Sequence, residues 1–313
     1  LLEFQYILST LGTMCIGVEG ERALAGQSFY TDRKNLDGIL GKVAYLKRLI
    51  ESEISKPEIE LPEIAGALLQ AGIEGAIFDG SQLVDIAEFV RGSRALQRYV
   101  RSSIGDNERS PFLEEDDFPD LQEVSQFLFS QLESDGSVKE SLPALRTIRD
   151  KMRRAQSEIS AMAAGYLRDK VSIWQTTVPT QKDGRVVLPL KADHRGEIKG
   201  IIREVSSSGA TVFVEPYDLV DKNNNYTLLE SEYQIETARV LRRCSERVHE
   251  HAEALRVLVQ RTAWVDTILA RGRFAARYNC FPAEPRNKGF DIRRGRHPML
   301  GENVVPIEVE LHD

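Results

Sequence analysis

Two long apolar seams bracket a short run of strand-forming residues, and that order constrains the fold of this 313-residue chain more than any other feature. From Ser141 onward, Leu145, Ile148, Met152, Ala155, Ile159, Met162 and Tyr166 recur at alternating steps of three and four, the spacing of a helix with a packed stripe. After Pro216 a second seam runs through Tyr226, Leu229, Tyr233, Val240, Cys244, Val248, His251, Leu255 and Leu258. If unbroken from Leu219 to Tyr278, that helix spans about 90 Å at 1.5 Å per residue. Rods of such length cannot each be buried in a compact ball, so they are expected to pair as an antiparallel stalk. Between them, 174–215 turns to Val, Ile, Thr and Gly, with turn signals at Lys182-Asp183-Gly184, His194-Arg195-Gly196 and Ser208-Gly209. A small antiparallel sheet at the tip of a helical hairpin is the predicted arrangement.

The strands can be phased. In 185–191, Val186, Leu188 and Leu190 take one face, leaving Arg185, Val187, Pro189 and Lys191 on the other. In 197–205, Ile198, Gly200 and Ile202 share a face opposite Lys199, Ile201 and Arg203. With both apolar faces inward, Arg185, Lys191, Lys199 and Arg203 are expected to project outward together. Pro189 implies an edge position or a bulge. Residues 182–203 hold six cations, Lys182, Arg185, Lys191, Arg195, Lys199 and Arg203, against Asp183, Asp193 and Glu197. Cations on a sheet face neutralise phosphate charge without reading bases; an ordinary solvated sheet face has the same composition.

Charge points the same way. The whole chain is net −7, but residues 1–140 carry 13 basic and 25 acidic groups while 141–313 carry 28 and 23, so a polyanionic partner belongs with the second part. Up to about residue 140 the pattern is helical. One face joins Phe4, Ile7, Leu8 and Leu11, a second runs from Leu36 to Ile50, and a third includes Leu83, Ile86, Val90, Leu96 and Val100, with Ser81 as candidate N-cap. The acidic run 113–120, with Pro111 just before it and Pro119 within it, reads as a surface loop. A further cluster, Arg146, Arg149, Lys151, Arg153 and Arg154, spreads around its helix and reads as a solvated exterior.

No stretch offers the roughly 20 apolar residues of a membrane span, and three scattered cysteines make neither a disulfide framework nor a zinc site. His249 and His251 stand two apart on a helix and do not face one another. No H-E-x-x-H or G-x-x-x-x-G-K-[ST] occurs, and no carboxylate pair has catalytic company. Ser206–Ser208 reads as a turn or an anion nest, and Asn223-Asn224-Asn225 as a cap or a polar contact at the tip. The chain opens on Leu rather than Met, as expected for part of something longer.

The run 180–216, TQKDGRVVLPLKADHRGEIKGIIREVSSSGATVFVEP, resembles the signature of the MutS-two branch of the MutS family. The shared features are a basic-Asp-Gly-Arg turn, a Val-Leu-Pro strand, Lys-x-x-x-Arg-Gly, Ser-x-Ser-Gly-Ala-Thr and an aromatic-Val-Glu-Pro exit. Residues 219–224, the Glu-rich helix to Tyr278, Gly295-Arg296-His297-Pro298, Val304-Val305-Pro306 and Leu2-Glu3-Phe4 fit as well. The resemblance implies a mainly α, elongated multi-helix core with an antiparallel two-helix lever carrying a small antiparallel β clamp at its tip. Residues 1–140 are then the helical core, 141–173 and 216–290 the lever and core helices, 174–215 the clamp, and 291–313 the start of an ATPase domain. It also implies a bacterial cytoplasmic parent that is an ATPase and endonuclease using ATP and Mg, homodimeric through the ATPase domain. Such proteins suppress recombination on branched DNA, and some split stalled ribosomes, so branched or duplex DNA and ribosomal RNA are the expected partners. This chain itself is expected to be non-catalytic and to hold no cofactor or metal. By position Val304 matches the residue lining the adenine side of the nucleotide pocket, where repair MutS proteins place an aromatic.

Overall fold

The computed structural model describes residues 3–27, 30–52, 54, 57–73, 75–105, 108–113, 118–284, 288–300 and 304–311. Within the predicted acidic loop, 114–117 lie outside the described residues. The helices are α1 Phe4–Gly12, α2 Val18–Ala25, α3 Arg33–Glu51, α4 Ala65–Ala71, α5 Gly80–Val100, α6 Gln122–Gln131, α7 Pro143–Asp169, α8 Tyr217–Glu250 and α9 Ala252–Arg277. Strands β1 Thr180–Lys182, β2 Arg185–Lys191, β3 Gly200–Val205 and β4 Thr211–Pro216 form one antiparallel sheet, and β5 Phe290–Gly295 pairs with β6 Ile307–Leu311 in another. The protein is thus mainly α with small β elements. No helix among the described residues is long and apolar enough to cross a membrane. Two compact units emerge: Leu1–Ser130, Ser134–Gly136 and Cys244–Asp313 form the first, and Gln131–Glu133 with Ser137–Arg243 the second.

In the first unit, the predicted stripes become α1, α3 and α5. Leu46, Leu49, Val265, Ile268 and Leu269 are fully buried where α3 packs on α9, each such side chain contributing about 1.5–3 kcal/mol. Gly272 permits the close approach, since a Cβ there would lie 2.8 Å from the Leu46 Cβ. Asp266 on α9 is completely buried and accepts from the N–H groups of Ile16 (2.9 Å) and Gly17 (3.0 Å) just before α2; burial pushes its carboxyl up, and those two bonds oppose the shift. The cap of α5 is Asp79 rather than the predicted Ser81. Its carboxylate accepts from Gln82 N and from the Ser81 hydroxyl, while Gln82 returns a bond to Asp79 N, the reciprocal box that satisfies two otherwise orphaned N–H groups.

The glycines within α3 divide from those held by neighbours. A Cβ at Gly38 would meet nothing within 4 Å, so Gly38→Ala should gain up to about 1 kcal/mol by removing backbone freedom from the unfolded chain. Urea unfolding at equal slope is the check.

In the second unit, α7 starts with Pro143 at its first turn, where the missing N–H costs nothing. Lys222 of α8 pairs with Glu158 of α7, and Tyr166 of α7 donates to Asp218 of α8. Residue numbers thus rise along one helix as they fall along the other, the antiparallel pairing predicted. The apolar face of the four-stranded sheet packs on α7 through Ile159, Ala163, Leu167, Ile173, Trp174, Leu188, Leu190, Val214 and Leu219. The predicted unbroken helix is corrected: α8 stops at Glu250 and α9 begins at Ala252. His251 causes the interruption. Its N–H bonds Val248 O, one residue short of helical register, while its ring Nδ1 lies 3.0 Å from Arg247 O. The side chain thereby satisfies the carbonyl its own backbone has left.

Candidate nucleic-acid interface

Alternation in β4 turns Val212 and Val214 to one face and Phe213 and Glu215 to the other. Leu190 and Leu188 of β2 pair with Val212 and Val214 and share the core face, so the predicted phase of β2 holds. Pro189 sits beyond the end of β1, with its carbonyl accepting from Gln175 N (2.8 Å). In an antiparallel pair a residue's N and O point the same way, so its missing N–H costs no bond to β4. The phase of β3 holds only to Ile202. A bulge there makes Ile202 oppose Val214 and Glu204 oppose Phe213, leaving Arg203 as the extra residue.

Two of the four cations expected to project outward, Arg185 and Arg203, are instead drawn onto one carboxylate. Glu215 is completely buried. Its Oε1 accepts from Arg185 Nε (3.0 Å), Arg185 Nη2 (2.8 Å) and Asn223 Nδ2 (2.7 Å), and its Oε2 from Arg203 Nε (2.6 Å). Burial pushes the Glu215 carboxyl up, but the bonds from Arg185, Asn223 and Arg203 outweigh it and hold the group below the ordinary glutamate range. Arg185 also donates to Asn224 Oδ1, and Asn223 brackets the backbone N–H and carbonyl of Val186. The Asn223-Asn224 pair therefore ties β2 to the first turns of α8 and caps no helix. The sequence reading missed Glu215. An acid alternating with Val212 and Val214, beside two arginines on neighbouring strands, is the signal that could have found it.

Lys182 is partly committed, its Nζ 2.9 Å from Glu204 Oε2 and 4.6 Å from the centre of the Phe213 ring. Lys191 donates to Ser172 O (2.7 Å), a neutral partner that leaves its charge uncompensated. Arg195 and Lys199, both exposed, have no carboxylate partner among the described residues. These last three cations belong to β2 or to the connection that leads into β3. Of the two acids between them, Asp193 and Glu197, the latter is engaged by His194 Nδ1 (2.6 Å) and Lys170 (3.8 Å), which hold its carboxyl below the usual range. Lys199 and Lys170 also border a cleft of about 410 Å³ with Tyr166, Tyr217, Asp169 and Asp218. Burial and the bond to Asp218 push the Tyr166 phenol up to about 12, so it stays a donor at neutral pH. Ser206–Ser208 form the β3–β4 turn, closed by Ser206 N on Thr211 O and by Gly209 at φ 71°. In the first unit, the His249 ring nitrogens lie 2.9 and 2.8 Å from Ala71 O and Ala76 O, and His251 is turned to Arg247 O, so the two histidines address different groups.

The site is therefore a set of cations without a described carboxylate partner, at the end of β2 and in the connection to β3, on a unit whose sheet also holds a buried ion cluster. A protein called Endonuclease MutS2 from Gemmatimonas aurantiaca is 28% identical over all of this chain and 39% of its own length. Its namesake from Pelotomaculum thermopropionicum is 30% identical over 80% of this chain and 32% of its own length. The namesake from Thermotoga maritima is 36% identical over 58% of this chain and 24% of its own length. This chain belongs to the MutS2 branch. It spans between about a third and two fifths of the length of the first two of these relatives. No protein-family model matches this chain.

Proposed function

We propose that this chain is the nucleic-acid-gripping lever and clamp part of a MutS2-type ATPase and endonuclease, acting on branched or duplex DNA without regard to sequence. The observation that carries the reading is the placement of Lys191, Arg195 and Lys199, cations whose charge no described carboxylate balances. Arg185 and Arg203, spent on Glu215, are positioning residues for the sheet rather than phosphate contacts, and Lys182 makes at most a shared contact. Cations of this kind bind backbone by releasing counterions, an interaction blind to base identity. ATP hydrolysis, DNA cleavage and dimerisation through the ATPase domain would reside in parts of the parent other than these residues. Val304, half-buried just before β6, offers one apolar contact to a nucleotide base. No phosphate-binding motif accompanies it in this sequence, so these residues alone do not fit ATP and Mg.

The test is the double variant Arg195→Glu/Lys199→Glu, measured by fluorescence anisotropy on a labelled four-way junction and a duplex. Affinity should fall alike on both, with the log–log salt slope reduced by about 1 for each contact removed. Unchanged affinity in a variant with normal circular dichroism would refute the assignment. One feature favours a second reading, docking on a ribosome or protein surface. Ile202 and Val205 lie on the core side of β3 by register, yet β3 is an edge strand and they stay 45% and 43% exposed. If one face serves both ligands, DNA should displace ribosomes; independent binding would separate them.

A further inference from the structure

The first unit contains a second site, unrelated to the cations of the sheet. A cleft of about 480 Å³ opens between α3 and α9, closed at one side by the residues that follow α9. Leu40, Val43 and Ala44 of α3 form one wall, Phe274 and Ala275 of α9 the other. Phe281, 76% exposed, stands at the lip beneath the Lys47 ammonium, which lies 4.5 Å from its ring centre. A cleft of that size with largely apolar walls has the dimensions of a small-molecule site.

Charge selects the ligand. Three cations, Lys47, Arg48 and Arg271, border the cleft against one acid, Glu51. Arg48 is neutralised by Glu108 at 2.5 Å, and Lys47 stands 3.9 Å from Glu51 and donates to Asn279 Oδ1 and Cys280 O. Arg271 differs. Its described bonds go to neutral oxygens only, from Nη1 to Thr267 O (3.1 Å) and Thr267 Oγ1 (3.0 Å), and from Nη2 to Gln27 Oε1. A guanidinium has five N–H donors, so Nε–H and one Nη2 hydrogen have no partner among the described residues. Burial lowers the pKa of Arg271, opposed by Tyr30 and Cys15 and by no described carboxylate.

We propose that this cleft binds an amphipathic carboxylate of the medium-chain fatty-acid class, its chain between α3 and α9 and its head group on Arg271. An anion there gives the half-buried guanidinium the counter-charge it lacks, and a hydrocarbon chain fills the apolar space between the walls.

Dodecanoate below its micelle concentration is the probe, titrated into the 313-residue chain by calorimetry with dodecanol as the uncharged control. Saturable one-site binding is expected, about tenfold tighter for the carboxylate than for the alcohol. Arg271→Met should erase that preference while the alcohol still binds. Cys280 borders the cleft, so dodecanoate should slow N-ethylmaleimide labelling of Cys280, a readout that needs no variant. Absence of saturable binding, equal affinity for acid and alcohol, or labelling of Cys280 unaffected by saturating dodecanoate would each overturn the proposal. DNA binding is read on the other unit, so either result leaves the nucleic-acid reading to its own test.

Discussion

Glu215→Ala should cost the second unit about 3–5 kcal/mol, the loss expected when one partner of a buried ion cluster is removed and the others stay behind. Two guanidiniums would be stranded: Arg185, whose side chain is 17% exposed, and Arg203 at 33%. Asn223, itself buried, would lose a bond as well. The effect can be read locally. Of the two tryptophans, Trp174 is buried against the sheet and donates to Tyr166 O (2.9 Å), while Trp264 lies in the first unit. Trp174 emission in a Trp264→Phe background therefore reports the sheet. A loss under about 1 kcal/mol would mean that the arginines find water instead, as at an exposed pair.

The same cluster sets a pH dependence. The folded-state pKa of Glu215 lies below the ordinary 4.5, so its contribution is complete above that value and disappears as pH falls through the lower folded value. Acid below pH 4.5 should thus weaken the sheet's unit, and Glu215→Gln should flatten that part of the profile. A variant profile that still falls in parallel with the parent would assign the acid sensitivity to other carboxylates.

Gly92→Ala should destabilise the first unit by upwards of about 2 kcal/mol, as overpacking does. Helix propensity alone argues for a gain of about 1 kcal/mol at a mid-helix glycine. Position 92 of α5 reverses the sign because a Cβ there would lie 1.9 Å from Glu60 O and 3.0 Å from Glu60 C. Those are backbone atoms, which cannot swing aside as the end of a side chain does. Chemical denaturation followed through Trp264 gives the number. Stabilisation, as expected at Gly38, would show that the segment through Glu60 moves freely.

Much of this architecture was legible because it rests on local periodicity. The seam from Leu145 to Tyr166 became α7, and 185–191 is a strand to the residue. What escaped depends on departures from period. Nothing in the local pattern of Gly-Ile-Ile-Arg-Glu-Val announces a bulge, yet that single extra residue moves Glu204 to the face of Phe213 and Val205 to that of Val212. The break at His251 escaped for a similar reason: its apolar neighbours Val248 and Leu255 keep the seam's spacing while one side-chain bond replaces a backbone bond. Six basic residues in sequence were thus not six basic residues in space. Charge counted along a chain ignores which acids the fold buries beside it.

The cationic set that remains can be weighed most directly by the salt dependence of DNA binding. The 313-residue chain should be titrated with a four-way junction at salt concentrations from about 50 to 200 mM, a range over which counterion release dominates. With Lys191, Arg195 and Lys199 each on a phosphate, log affinity should fall against log salt with a slope of about −2.7, or −0.9 per contact. Binding that ignores salt, or no binding at the lowest concentration, would contradict the account.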